Sequence, residues 1–245
     1  MRGDGWTADR LIGFDLETTG LDRERDEPVS FAFSEFVEGE CVAITEGWLL
    51  PSPGRVISDG AANVHGLSEA RLVELGATDH VTGLGVIADG LAKASAAGSP
   101  IVGANLAYDL TMVDRCLGRL EAMSSLAAVG WLGPALDVLV IDRAMDPDFT
   151  ARPVRKLEAL CEHYGISTDL HTAGGDATAS VKILLAQAAA FPELMAHTVD
   201  ELFKCQAQWH ATWCDGFSAR RVAKGRGPID AAEREWPYFV RATLF

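Results

Sequence analysis

Positive charge is scarce in this sequence. Its 21 Lys and Arg stand against 35 Asp and Glu, a formal net charge of −14. Proteins that coat long duplexes are basic, because phosphate contacts dominate their affinity. The balance argues against a wide nucleic-acid footprint. A small site, where metal ions supply the positive charge, remains compatible with an acidic chain. Cysteine is also sparse: five residues, an odd number, with no Cys-x-x-Cys pair. Reduced thiols fit that pattern better than a disulfide framework. Cys205, His210 and Cys214 fall loosely on a helical pattern, but no fourth ligand accompanies them as a structural zinc would need. No apolar run reaches transmembrane length. The first residues, Met-Arg-Gly-Asp-Gly-Trp, lack the apolar stretch of a signal peptide. The expectation is a soluble cytoplasmic protein without membrane attachment. With 245 residues, 48% of them hydrophobic, there is enough for one sizeable α/β domain and an appendage.

What the chain does contain is an apolar run, residues 11–21, that carries two acids and ends at Gly20. It reads as a short buried strand running into a loop. Asp15 and Glu17 are two apart, so on a strand they share a face, while Phe14 and Leu16 point into packing. Two fixed neighbouring carboxylates repel each other, and a divalent cation between them removes that cost. Hard cations such as Mg²⁺ and Mn²⁺ suit carboxylate oxygen. The same pair could equally be two solvated acids on an edge strand. Thr18, Thr19 and Gly20 add two hydroxyls and a turn of free amides, which could hold a sugar hydroxyl or a phosphate.

Further along, alternation predicts strands over 29–36 and 41–50, forming an antiparallel meander with the first. Interrupted helical sequence runs from Ser68 to about residue 97. A short strand follows at 101–104, a helix at 106–120, a fifth strand at 135–141 and a polar loop at 142–153. Helices are predicted over 154–164, 176–190 and 193–223. Asp114 reads as solvated and Asp137 as structural. Trp209, Trp213 and Phe217 form a stripe that either packs on the domain or meets a partner. Three strands followed by helix, strand, helix, strand and helices fit a ribonuclease H-like mixed sheet better than a doubly wound one.

The stretch Phe-Asp-Leu-Glu-Thr-Thr-Gly-Leu closely resembles the first motif of the DEDD superfamily of 3′–5′ exonucleases. That superfamily includes DnaQ-like proofreading subunits, ribonuclease T and oligoribonuclease. Asn105-Leu106-Ala107-Tyr108-Asp109 resembles its second motif, with Ala104 where the family often has His. His171-Thr172-Ala173-Gly174-Gly175-Asp176 resembles the third motif of the DEDDh, or His, branch. The sister branch has a Tyr four before the Asp, where this chain has Thr172. The likeness covers roughly residues 11–190, and Leu136-Asp137-Val138 through Arg143 resembles the family's strand between motifs two and three.

The resemblance implies an α/β exonuclease domain over 8–190, a five-stranded mixed sheet flanked by helices, with a helical C-terminal extension over 191–245. It implies that Asp15, Glu17, Asp109 and Asp176 hold two Mg²⁺ or Mn²⁺ ions, and that His171 is the general base. It places Thr18, Thr19, His65 and Asn105 against the substrate. The implied reaction releases nucleoside 5′-monophosphates from single-stranded or frayed 3′ ends in proofreading, repair or end trimming, with DNA favoured. An RNA-trimming enzyme of the same fold and a non-catalytic polymerase-associated module are the alternatives. A polymerase or a second copy is the expected kind of protein partner. Arg143, Arg152, Arg155 and Lys156 form a basic group that could meet the strand's phosphates or be a solvated helix start.

Overall fold

The computed structural model describes residues 5–120, 125–147 and 155–238. Three antiparallel strands open the chain: β1 (Leu11–Thr18), β2 (Pro28–Val37) and β3 (Glu40–Trp48). Helices α1 (Asp59–His65), α2 (Glu69–Glu74) and α3 (His80–Ala96) follow. Strand β4 (Ile101–Gly103) then pairs in parallel with β1. Helix α4 (Leu106–Gly118) leads on to β5 (Ala135–Asp137), which is parallel to β4. The sheet order is β3-β2-β1-β4-β5, so β1 is central. Helices α5 (Val138–Met145), α6 (Leu157–Tyr164), α7 (Ala173–Ala190) and α8 (Val199–Ala223) complete the described elements with short 3₁₀ turns. This is the five-stranded mixed sheet flanked by helices, with a helical C-terminal region, that the sequence predicts.

Strand periodicity sorts β1 into two faces. Phe14 and Leu16 enter a core with Leu84, Ile87 and Leu91 of α3 and Leu110, Val113 and Leu117 of α4. Burying each such side chain contributes about 1.5–3 kcal/mol. Leu11 faces the opposite way, into a core with Val102, Leu136 and Val181, Ile183 and Leu184 of α7. Gly13 shares that second face. A Cβ there would overlap the Ala177 carbonyl oxygen of α7 and the Ser34 hydroxyl. Glycine therefore lets the backbone of α7 lie against the middle of β1. Ala173 and Ala177 of α7 pack on Ala32, the residue paired with Asp15 across β2. Small side chains keep helix and sheet close where the two acids emerge.

Several boundaries differ from the sequence reading, each for a local reason. The strand predicted over 135–141 stops at Asp137, whose Oδ1 accepts the amides of Leu139 and Val140 and starts α5. The loop predicted over 142–153 is therefore helical to Met145. Helix α7 begins at Ala173, three residues early, because the Thr172 hydroxyl accepts the Gly175 amide at 3.1 Å. Helix α1 is an addition, capped by Ser58 and ended by Gly66 in the left-handed region. The last helical stretch divides into a 3₁₀ turn (Pro192–Ala196) and α8, which opens on a Thr198–Glu201 capping box. Asp114 is buried rather than solvated: it pairs with Arg115 and accepts the Leu126 amide. Residues 148–154, which include Arg152 and the expected start of the helix at 154, lie outside the described residues, as do 239–245.

All five cysteines are free. His210 and Cys214 both meet the Glu233 carbonyl. Among the described residues, no helix is long and apolar enough to cross a membrane.

The packing at Gly13 yields a first prediction. Gly13→Val should lower thermal stability by about 1–3 kcal/mol through overpacking. It should also weaken Mn²⁺ binding, because α7 carries Asp176. Differential scanning fluorimetry with and without Mn²⁺ reads both effects. A folded variant with unchanged metal affinity would disconnect this contact from the acids.

Candidate active site

Beyond Gly13, the same face of β1 presents Asp15 and Glu17. The first turn of α7 presents Asp176 over them. One carboxylate oxygen from each of the three lies within 4.8 Å of the others. Asp109 comes from the first turn of α4 and is buried. Its approach is set by a tight entry after β4. Asn105 adopts the left-handed region at φ 65°, and the Leu106 amide donates to Asp137 Oδ2 at 2.8 Å. Asp137 thus fixes the starts of two helices, α4 and α5, with one carboxylate.

The four acids strain each other electrostatically. Burial, then the charges of Asp109, Asp176 and Glu17, push the Asp15 carboxyl well above the ordinary range. Glu17 rises to about 7, through burial and then Asp176. Burial raises Asp176 to about 6, although the His171 amide, donating to Asp176 Oδ1 at 3.2 Å, and the His171 charge oppose the rise. Asp109 is also raised well above its usual value, by burial first and then by Asp137, Glu17 and Asp176. It stands outside the trio but shares its field. Such a set binds protons or a cation. The donors are all carboxylate oxygen, the chemistry that hard divalent ions take. Among the described residues this is the one group of three acids, histidines or cysteines close enough to hold a metal.

The remaining predicted site residues lie at the ends of strands and helices or in the turns beside them. His171 is exposed and sits in the left-handed region at φ 66°, immediately before the Thr172 cap. Asn105 is exposed and lines a cavity of about 360 Å³ together with Asp15 and Asp176. His65 is half-buried: its Nδ1 accepts the Leu67 amide at 3.0 Å and its Nε2 meets the Thr18 carbonyl at 3.1 Å. With Nδ1 accepting, Nε2 must donate, which fixes one neutral tautomer. Burial also pushes the His65 pKa down. Both threonine hydroxyls are bonded internally. Thr18 donates to the Gly20 carbonyl at 2.8 Å, and Thr19, 1% exposed, donates to Asp26 Oδ1 at 2.8 Å and accepts the Glu27 amide at 3.1 Å.

Two contributors were not singled out in the sequence. The Tyr108 hydroxyl donates to the Gly20 carbonyl at 2.6 Å and tethers the turn after β1 to α4. Its position next to Asp109 in the second motif is the signal that could have revealed it. Gly13 is the other, and a glycine inside an apolar strand is a known mark of close backbone approach. The basic group divides. Arg155 is buried and ion-paired with Asp142 and Asp146, so it is not a solvated helix start. Lys156 is exposed and Arg143 half-buried, and both line the cavity.

These shifts set a stability test in chelator. A carboxyl raised in the folded state binds more protons than it does unfolded. Its stability cost is absent below the unfolded pKa and grows as pH rises through the folded one. For Glu17 and Asp176 that growth falls between roughly pH 4 and pH 7. Asp15→Asn removes one member of the repelling set. It should melt above the wild type at pH 7.5, with the gap narrowing toward pH 5 as the wild-type acids protonate. Buried histidines act oppositely in this window but cancel in the comparison. A variant less stable than wild type at pH 7.5 would contradict the repulsion.

Comparison with known proteins bears on the family and the fold. The sequence profile of the RNase_T family, described as Exonuclease, matches residues 12–184. No curated protein matches the sequence. Among solved structures, exonuclease I from Methylocaldum szegediense superposes with a TM-score of 0.63 at 22% identity, covering 76% of this chain and 42% of that one. A structure of exonuclease I described as suggesting how processivity is achieved gives 0.65 at 18% identity, covering 77% and 42%. Escherichia coli exonuclease I in complex with a 5cy-dT13 oligonucleotide gives 0.63 at 18%, again covering 77% and 42%. The chain therefore spans under half the length of these proteins, and at such identity they speak for the fold. With the profile match extending over most of its length, the chain belongs to the exonuclease family of the DEDD 3′–5′ exonuclease superfamily.

Proposed function

We propose that this protein is a metal-dependent 3′–5′ exonuclease that removes nucleoside 5′-monophosphates from single-stranded DNA ends. The observation that carries the reading is the convergence of Asp15, Glu17 and Asp176 within 4.8 Å, with Asp109 in the same field. DNA is favoured because exonuclease I of the same fold has been seen with a deoxythymidine oligonucleotide. The acidic chain suits a substrate held at one end rather than along its length.

Two divalent ions, Mg²⁺ or Mn²⁺, would supply an acidified water and charge stabilisation for the departing 3′ oxygen. Asp15, Glu17, Asp109 and Asp176 would hold them. The exposed imidazole of His171 takes the proton from the attacking water, a role worth about 10²–10⁴-fold. His65 does not suit that role, since both ring nitrogens are engaged and its tautomer is fixed. It instead holds the Thr18 carbonyl, and with Tyr108 it shapes the turn on which the terminal nucleotide would rest. Thr18 and Thr19 act through that turn, and Asn105 through the cavity it lines.

Digestion of end-labelled single-stranded DNA, duplex DNA and RNA with Mg²⁺ or Mn²⁺ tests the reading. Single-stranded DNA should be shortened from its 3′ end, and excess chelator should abolish the reaction. Faster loss of RNA would redirect the assignment to an exoribonuclease. No cleavage of any substrate would leave a binding module.

At saturating Mn²⁺, His171→Ala should retain metal binding while turnover falls by about 10²–10⁴. The acid limb of the rate profile should disappear in that variant and persist in His65→Ala. The reverse pattern would move the base to the loop after α1.

A further inference from the structure

Among the described residues, three cations line the cavity beside Asp15 and Asp176, and they differ in how they are held. Arg155 is buried and bound to Asp142 and Asp146. Lys156 is exposed on its flexible stem at the start of α6. Arg143 is neither. Its guanidinium lies over the indole of Trp213 on α8, 4.1 Å from the ring centroid, and that indole stacks on Phe217 at 5.0 Å and 7°. Its Nε is buried without a hydrogen-bond partner among the described residues, and none of their carboxylates forms an ion pair with it. Asp137 is the acid whose charge favours it most.

A guanidinium stacked by its face keeps its N–H donors in the ring plane, free for a planar, bidentate oxygen acceptor. The indole supplies cation–π attraction and restricts the side chain. The cavity runs from the acids to this fork. Ions held by the acids would neutralise the scissile phosphate, which leaves the fork for the next phosphate along the strand. We infer that Arg143, shelved on Trp213, is a binding residue for the phosphodiester on the 5′ side of the scissile one. Trp213 is a positioning residue, and the C-terminal helix is thereby part of the substrate site. The inference rests on the exonuclease reading above.

The test compares dithymidine monophosphate, which has one phosphate, with trithymidine diphosphate, which has two, at saturating Mn²⁺. Wild type should favour the trinucleotide in kcat/KM by about tenfold or more, the worth of a charge-assisted hydrogen bond. Arg143→Gln should bring that ratio near one, chiefly through KM. Trp213→Leu should lower the ratio similarly, and Trp213→Phe, which keeps an aromatic shelf, should restore most of it. Arg143→Lys, with charge but no fork, should fall between wild type and Arg143→Gln. The salt dependence of binding a longer thymidine oligomer should also lose about 0.7 in log–log slope in Arg143→Gln. If Arg143→Gln lowers both substrates equally, or leaves the ratio at the wild-type value, the inference is overturned. If wild type hydrolyses neither substrate, the exonuclease reading itself fails.

Discussion

The contact between the backbone of α7 and the middle of β1 is the constraint on which the site depends. Three carboxylates do not gather spontaneously, because burial and mutual repulsion both oppose their ionised forms. Here the backbone leaves them little choice. Gly13 has no side chain to keep Ala177 away, and Ala32, Ala173 and Ala177 are too small to separate helix from sheet. The first turn of α7 is therefore pressed toward the strand end where Asp15 and Glu17 emerge. The cost shows as raised proton affinities: burial and then the Asp176 charge lift Glu17 to about 7, and burial lifts Asp176 to about 6. Packing elsewhere in the domain sustains that unfavourable local arrangement.

A second layer holds the opposite side of the site. Asp137 closes β5 and anchors the amide ends of α4 and α5. The free edge of β5 is covered by a side chain instead of a strand. Gln206 of α8 accepts the Asp137 amide at 2.7 Å and donates to the Ala135 carbonyl at 3.2 Å, fully buried. Burying an edge without such partners would leave main-chain groups unsatisfied. The C-terminal helix is thus joined by hydrogen bonds to the strand that orients Asp109. Asp109 follows the Asn105 reversal, a backbone conformation that a β-branched residue would adopt poorly.

Much of the site was legible in the sequence, for physical reasons. Alternation on a strand puts Asp15 and Glu17 on one face, as two solvated acids would also lie, and the resemblance of Phe-Asp-Leu-Glu-Thr-Thr-Gly-Leu to the first DEDD motif is what singles them out. Asp109 and Asp176 are legible through their resemblance to the second and third motifs of the DEDD superfamily. The strand order could be reached because the meander and the later helix–strand alternation leave few topologies. What stayed hidden depends on contacts between distant segments. The apolar run 135–141 does not reveal by periodicity where strand gives way to helix, and the Asp137 cap decides it. Arg155 reads as a surface cation until Asp142 and Asp146 enclose it. The internal bonding of the Thr19 hydroxyl requires Asp26, and the stacking of Arg143 requires Trp213, far along the chain.

The central claim is that α7 presses the acids together tightly enough for them to retain protons until a divalent ion arrives. Isothermal titration calorimetry of Mn²⁺ binding near pH 6, in two buffers of different ionisation enthalpy, measures it directly. Because Glu17 titrates at about 7 and Asp176 at about 6, binding should release protons, and the release should decline as pH is raised above 8. Mn²⁺ binding with no proton release at pH 6 would mean that the carboxyls are already ionised, and that the close packing of α7 on β1 does not set the chemistry of the site.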